Sequence, residues 1–290
     1  MRQTEAVATG TSTTSGLIEA LSKDLSSGKL EIPGFPDIAM RLNRALRSED
    51  ASMKEIVALI NSEPGLVSRL LQVSNSAAFN ASGRSIADLK TAVGRLGFKI
   101  VMSAASSYSI RQMEQHEWLQ PVRPWLAEIW WSSNAVAAIC FVVGKKLGRL
   151  GDEAMVAGLL HRVGDLYLVT QAQKRNIDIQ NDPTWDKVMA KWGSTTASEM
   201  LLQWGLPAHI ADAVGRQDDV ANGDIADLTS FAALLSAAKL YNSSVRDQQA
   251  TDQASEAVAL LETVNLWGHP FLKAVEGSKE QIEAIRTAIG

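Results

Sequence analysis

Apolar residues recur along this chain at the spacing of helix faces: Leu17, Leu21 and Leu25, then Ile38, Leu42 and Leu46, then Ile56, Leu59 and Ile60. Steps of three and four residues set these side chains on one side of a helix, and no alternating stretch of strand type competes with them. Ser52-Met-Lys-Glu55 and Ser85-Ile-Ala-Asp88 each put a hydroxyl three residues before a carboxylate, which predicts helix starts at Ser52 and Ser85. Pro33-Gly34-Phe35-Pro36, Pro64-Gly65, Gly97, Gly148 to Gly151 and Gly205 to Pro207 punctuate the pattern. The prediction is an all-α, multi-helical fold in two lobes, with about a dozen helices.

Two longer helices are expected over residues 125–147 and 152–171, the second apolar on nearly every face and so buried. The prolines of Gln120-Pro-Val-Arg-Pro124 disfavour a continuous helix and predict a boundary beside them. Residues 16–125 then form an N-terminal helical lobe, 126–245 a second lobe, and 246–290 an extension of short amphipathic helices. Residues 1–15, which include TGTSTTS, offer too little apolar surface to offset ordering and are expected to be a flexible tail.

Composition narrows the function classes. The chain is 46% hydrophobic and 21% charged, ordinary for a folded protein, and its net charge of -4 gives no global attraction to nucleic acid or anionic lipid. A single cysteine, Cys140, excludes an intramolecular disulfide and a thiolate metal cluster. The most apolar uninterrupted run, residues 135–143, is too short to span a bilayer, and no charged-then-apolar leader opens the sequence. A cytoplasmic protein without a membrane association is the expectation.

Residues 55–79 hold two helical patterns joined by a short turn, as a DNA-reading helix pair would. The second begins Pro64-Gly-Leu-Val67 and has Arg69 as its only cation, so packing is favoured over nucleic-acid binding. Motifs of other chemistries are missing: no Gly-x-Gly-x-x-Gly, no Walker lysine loop and no Gly-x-Ser-x-Gly elbow occur. Asp218 and Asp219 are adjacent and do not face one another on helical geometry, which favours solvated charge over paired acid-base work.

Several short stretches carry a resemblance through their shared order. They are Ile32-Pro-Gly-Phe-Pro36, the segment from Ser52 to Ile60, Glu63-Pro-Gly-Leu66 leading to Asn75-Ser-Ala-Ala-Phe79, and Ala92-Val-Gly-Arg-Leu-Gly97. Trp130, Ala157-Gly-Leu-Leu-His161 and Trp204-Gly-Leu-Pro207 follow. Over residues 30–245 the chain resembles HDOD domains, bacterial signalling modules related to the HD metal-dependent phosphohydrolases. In the catalytic relatives an upstream His, a His-Asp pair and later His and Asp residues hold a divalent ion that activates water. The resemblance sets these positions near Ser132, on His161-Arg162, near Gly193 and Gln217, and near Lys239.

Of that set His161 alone is retained, and Arg162 places a fixed cation where a ligand would be an anion. His116, His209 and His269 lie outside the pattern, and the GYP sequence of the related cyclic dinucleotide hydrolases is missing. No metal and no cofactor are therefore expected, and His161 reads as a hydrogen-bonded core residue. Arg162 and Asp165 stand three residues apart, and an ion pair between them would replace the ancestral electrostatics; the alternative is two side chains reaching water. Trp118, Trp125, Trp130 and Trp131 crowd the expected lobe junction as a candidate interface or ligand cleft, against a plain packing role.

The reading is a catalytically inactive signalling scaffold or output module. Its implied partners are signalling proteins, among them response regulators or components of cyclic-dinucleotide pathways. The alternatives are a divergent metal-dependent nucleotide phosphohydrolase and a DNA-binding regulator.

Overall fold

The structure, a computed structural model, describes residues 14–46, 48, 52–80, 82–149, 151–224, 228–246 and 251–290. The tail expected at residues 1–15 lies outside the described residues as far as residue 13, while Thr14 and Ser15 open helix α1 (Thr14–Ser27). Next come α2 (Ile38–Leu46), α3 (Met53–Asn61), α4 (Pro64–Asn75) and α5 (Leu89–Met113), then a 3-10 turn over Glu117–Val122. The middle of the chain forms α6 (Arg123–Lys146), α7 (Gly151–Leu160), α8 (Val163–Lys174), α9 (Trp185–Gln203), α10 (Ala208–Gly215) and α11 (Phe231–Arg246). After α12 (Thr251–Thr263), strands β1 (Asn265–Leu266) and β2 (His269–Pro270) pair antiparallel, and α13 (Phe271–Glu276) and α14 (Lys279–Ile289) follow. The fold is all-α, and that small hairpin is the one sheet among the described residues.

Two apolar cores share α6 and α7. In the first, Ile38 and Leu42 of α2, Ile56 and Ile60 of α3, Leu66 and Leu70 of α4, and Val93 and Val101 of α5 pack together. Ala137 and Val142 of α6, Met155 and Leu159 of α7, and Ile285 and Ile289 of α14 close that core. The second gathers Leu17 and Leu21 of α1 with Val136, Ile139 and Val143 of α6 and with apolar residues of α7 to α11 and α13. Successive α6 residues such as Val136 and Ala137 thus serve different cores, which explains a helix apolar on most faces. By length and composition the helical stretch Glu117–Lys146 would cross a membrane, but 72% of its apolar window is buried inside the protein.

The boundary expected between residues 125 and 126 falls inside α6. Pro124 lies in the first turn of that helix, where its missing N–H costs no intrahelical bond, so it admits a helix where the sequence suggested a break. The helix pair at residues 55–79 becomes α3 and α4, whose Leu66, Leu70 and Val73 are fully buried and whose Arg69 is itself partly buried.

The cap at Ser52 forms as expected, its side chain accepting from the Glu55 N–H at 3.2 Å. The start expected at Ser85 moves to Asp88, whose carboxylate accepts from the Thr91 N–H at 2.8 Å. A long-range clamp is the reason. The Asn75 side chain accepts from the Ile86 N–H at 2.8 Å and donates to the Ile86 carbonyl at 2.7 Å, holding that segment out of helical geometry. Gly97, at φ +75°, then breaks α5 where its turn signal stood.

Candidate functional site

The unbroken helix expected over residues 152–171 is interrupted at His161 and Arg162, between α7 and α8. Each of these two helices makes a very close crossing through a glycine near the turn between them. A Cβ at Gly158 would lie 2.6 Å from the Ala137 Cα, so α7 rests on the backbone of α6. A Cβ at Gly164 would lie 2.6 Å from the Ala197 amide nitrogen and closer still to the Gly193 carbonyl, so α8 rests on α9. Both helices are buried on nearly every side, and hydrophobic spacing therefore carries no sign of the turn between them.

His161 sits in that turn, 1% exposed. Its Nδ1 lies 2.6 Å from the Gly158 carbonyl, which can only accept, so Nδ1 carries the proton and Nε2 presents a bare lone pair. Nε2 is buried without a hydrogen-bond partner among the described residues. Burial, and then the cations of Lys239 and Arg162, push the His161 pKa well below the usual histidine range, so the ring is neutral.

The residues around it form two linked networks. Gln217 donates from Nε2 to the His161 carbonyl at 2.9 Å and accepts on Oε1 from the Lys239 ammonium at 2.9 Å, which also donates to Asp218 at 2.7 Å. Arg162 donates from Nε to Asp165 at 2.7 Å and from Nη1 to Glu128 at 3.3 Å, and Arg246 pairs with the same Glu128 oxygen. Arg162 and Asp165 are 18% and 17% exposed, a largely enclosed pair. Gly193 makes room for it, since a Cβ there would strike the Asp165 carboxylate. Asp219 turns to Arg216 at 2.8 Å, so the adjacent acids Asp218 and Asp219 serve different cations.

These groups open onto a cavity of about 680 Å³ lined by Ser132 and Glu128 of α6, by Arg162 and Asp165, and by Gln217, Lys239, Asn242 and Arg246. Ser132, Arg162, Gln217 and Lys239, which stood far apart in the sequence, thus share one pocket, with His161 behind its wall. Glu128, Asn242 and Arg246 escaped the sequence reading. Their signal was helical spacing: Glu128 lies one turn before Ser132, and Asn242 and Arg246 lie one and two turns after Lys239.

The four tryptophans have separate surroundings. Trp118 is exposed over Gly34, while Trp125 and Trp130 pack partly buried against the second core. Trp130 carries Arg111 at 4.7 Å, and Trp131 lies under Arg246 at 5.0 Å and Arg286 at 5.4 Å.

A divalent ion of the HD type does not fit this donor set. The His161 lone pair suits a ligand, but Arg162 and Lys239 bring positive charge and Gly193 brings no donor side chain. Among the described residues no three His, Cys, Asp or Glu side chains converge as a metal cage.

The neutral, buried imidazole predicts a pH effect. The unfolded chain titrates near pH 6.5, whereas in the folded protein His161 binds its proton only well below that. The unfolded state therefore holds more protons as pH falls from 6.5 toward the lowered value, and stability drops by up to about 1.4 kcal/mol per pH unit in that window. Urea unfolding between pH 5 and 7 measures the slope. His161→Asn, which keeps an N–H donor, is expected to flatten it.

Helices around two shared cores with this pocket define an HD-like helical domain. The chain belongs to the HDOD domain family, which it matches over residues 32–220. It is 26% identical over 198 residues to an uncharacterized protein of Treponema pallidum (strain Nichols), a stretch covering 63% of this chain and 37% of that protein. The chain thus spans little more than a third of that relative's length. The fold is similar to that of a Shewanella amazonensis SB2B protein provisionally described as a metal-dependent phosphohydrolase, with a TM-score of 0.72 and 21% identity over 94% of this chain and 98% of that one. It is also similar to a Marinobacter aquaeolei VT8 protein provisionally described as a signal transduction protein, with a TM-score of 0.51 and 19% identity over 99% of this chain and 68% of that one.

Proposed function

We propose that this protein is a signalling module that has kept the HD pocket and lost phosphoester hydrolysis. The observation that carries the reading is the pair of cations, Arg162 and Lys239, facing the retained His161, with their ion pairs already satisfied by Asp165 and Asp218. A metal that lowers the pKa of bound water needs anionic or neutral donors and an open position. Here two of the ligand positions hold an ammonium and a guanidinium, which offer no lone pair to such an ion and activate no water. HDOD membership and the likeness to a protein described as a signal transduction protein support the signalling half of the reading. Its partners are signalling proteins of the cytoplasm, response regulators or cyclic-dinucleotide pathway components among them.

Elemental analysis of the purified protein is expected to find no stoichiometric divalent metal. A panel of phosphomonoesters and phosphodiesters with added Mg²⁺ or Mn²⁺ is expected to react no faster than in buffer. A tightly bound metal together with hydrolysis abolished by His161→Ala would overturn the proposal in favour of a divergent phosphohydrolase.

A further inference from the structure

We propose that the cavity binds a phosphate-bearing small molecule, whose phosphate takes the place of Glu128 between Arg162 and Arg246. The proposal rests on the reading of the pocket as free of metal. Two guanidinium groups converge on a single oxygen, Oε1 of Glu128. A phosphate offers several oxygens to the same two forks and matches their planar geometry better than one shared carboxylate oxygen does.

Charge decides how such a ligand enters. Three cations line the cavity, Arg162, Lys239 and Arg246, against four carboxylates, Glu128, Asp165, Asp218 and Asp219. An anion added to that balance is repelled, whereas an anion exchanged for Glu128 meets two arginines. Of the four acids Glu128 is the one placed to leave. Asp165, Asp218 and Asp219 each hold a cation at 2.7 to 2.8 Å, whereas Glu128 divides one oxygen between two guanidiniums, close to Arg246 and 3.3 Å from Arg162.

The walls supply contacts for the rest of the molecule. Ser132 and Asn242 are more than nine-tenths buried, and their mutual contact of 3.4 Å is at the limit of a hydrogen bond, which leaves both with capacity for ligand hydroxyls or amides. A volume of about 680 Å³ is within the range of sites that enclose a small molecule. Binding also has a built-in reporter. Arg246 stacks over Trp131, so re-seating this arginine on a phosphate changes the surroundings of that indole.

The test titrates inorganic phosphate into the full chain at constant ionic strength, with chloride as the control anion and chelator present throughout. Tryptophan emission and the melting temperature are the readouts. A saturable response specific to phosphate is expected. Glu128→Gln, which weakens the internal competitor, should lower the half-saturating concentration about tenfold, and Arg246→Ala should raise it about tenfold. Trp131→Phe should lose most of the emission change and keep the thermal shift. A response seen only in Glu128→Gln still supports the displacement. No saturable response in either protein, or one indifferent to Arg246→Ala in a variant folded by circular dichroism, overturns it. Metal-dependent hydrolysis, measured separately without chelator, would instead remove the reading on which the proposal rests.

Discussion

Gly164→Ala is expected to destabilise the protein by about 3 kcal/mol and to lower its melting temperature by roughly 6–12 °C. One added carbon does this because nothing near it can give way. The neighbours are backbone, the Gly193 carbonyl and the Ala197 amide nitrogen of α9, and not side chains with rotamers to spare. A flexible side chain would swing aside, but here α8 must lift from α9 and carry the turn of His161 and Arg162 with it. The effect therefore reaches the pocket, and cavity binding should weaken along with stability. Gly94→Ala is the control. That glycine is an exposed α5 residue with nothing within 4 Å of an added Cβ, so alanine should be neutral or stabilise by up to about 1 kcal/mol through helix propensity. Thermal unfolding of the two variants beside the parent separates the outcomes. A Gly164→Ala protein that melts with the parent would mean that the crossing is looser than its geometry.

The same pair of crossings explains what could be read without a structure. Amphipathic helices such as α2 and α3 announced themselves because only one side of each is buried. The break at His161 was hidden because α7 and α8 are buried on nearly every side, so neither has a single apolar face whose register could be seen to shift. The start of α5 was misplaced for a different reason. Ser85 and Asp88 are both residue types that cap helices, and the decision is made by the Asn75 side chain, eleven residues before the Ile86 that it clamps.

The pocket was legible in proportion to how far its residues depend on family order. Ser132, His161, Arg162, Gln217 and Lys239 drew attention because the family resemblance sets the ancestral ligand positions on or near them. Glu128 and Arg246 have no such marker. They matter only because α6 and α11 run side by side, which brings a carboxylate and a guanidinium 118 residues apart into contact. Charge signs along a chain are visible, but the pairing of the charges is a property of the helix crossings.

Pairing also gives the last expected result, a gain of metal binding in Arg162→Asp combined with Lys239→Asp. Without a metal this double variant should be less stable than the parent, since the two new carboxylates would face Glu128, Asp165 and Asp218 with Arg246 as the remaining lining cation. The His161 Nε2 lone pair, already oriented by the Nδ1 contact with Gly158, then has anionic company. Mn²⁺ should bind at one equivalent and restore stability by mass action, by about 2.7 kcal/mol at a hundredfold excess over its dissociation constant. Calorimetric titration and the Mn²⁺ resonance spectrum follow the binding, and melting curves follow the rescue. The parent should show neither, and His161→Ala in the double-variant background should abolish both. Equal metal responses in parent and variant would show that the cations do not exclude the ion. A folded variant indifferent to Mn²⁺ would show that removing the two cations is not enough, and that the empty donor positions at Gly193 and Gln217 are what keep the pocket from holding a metal.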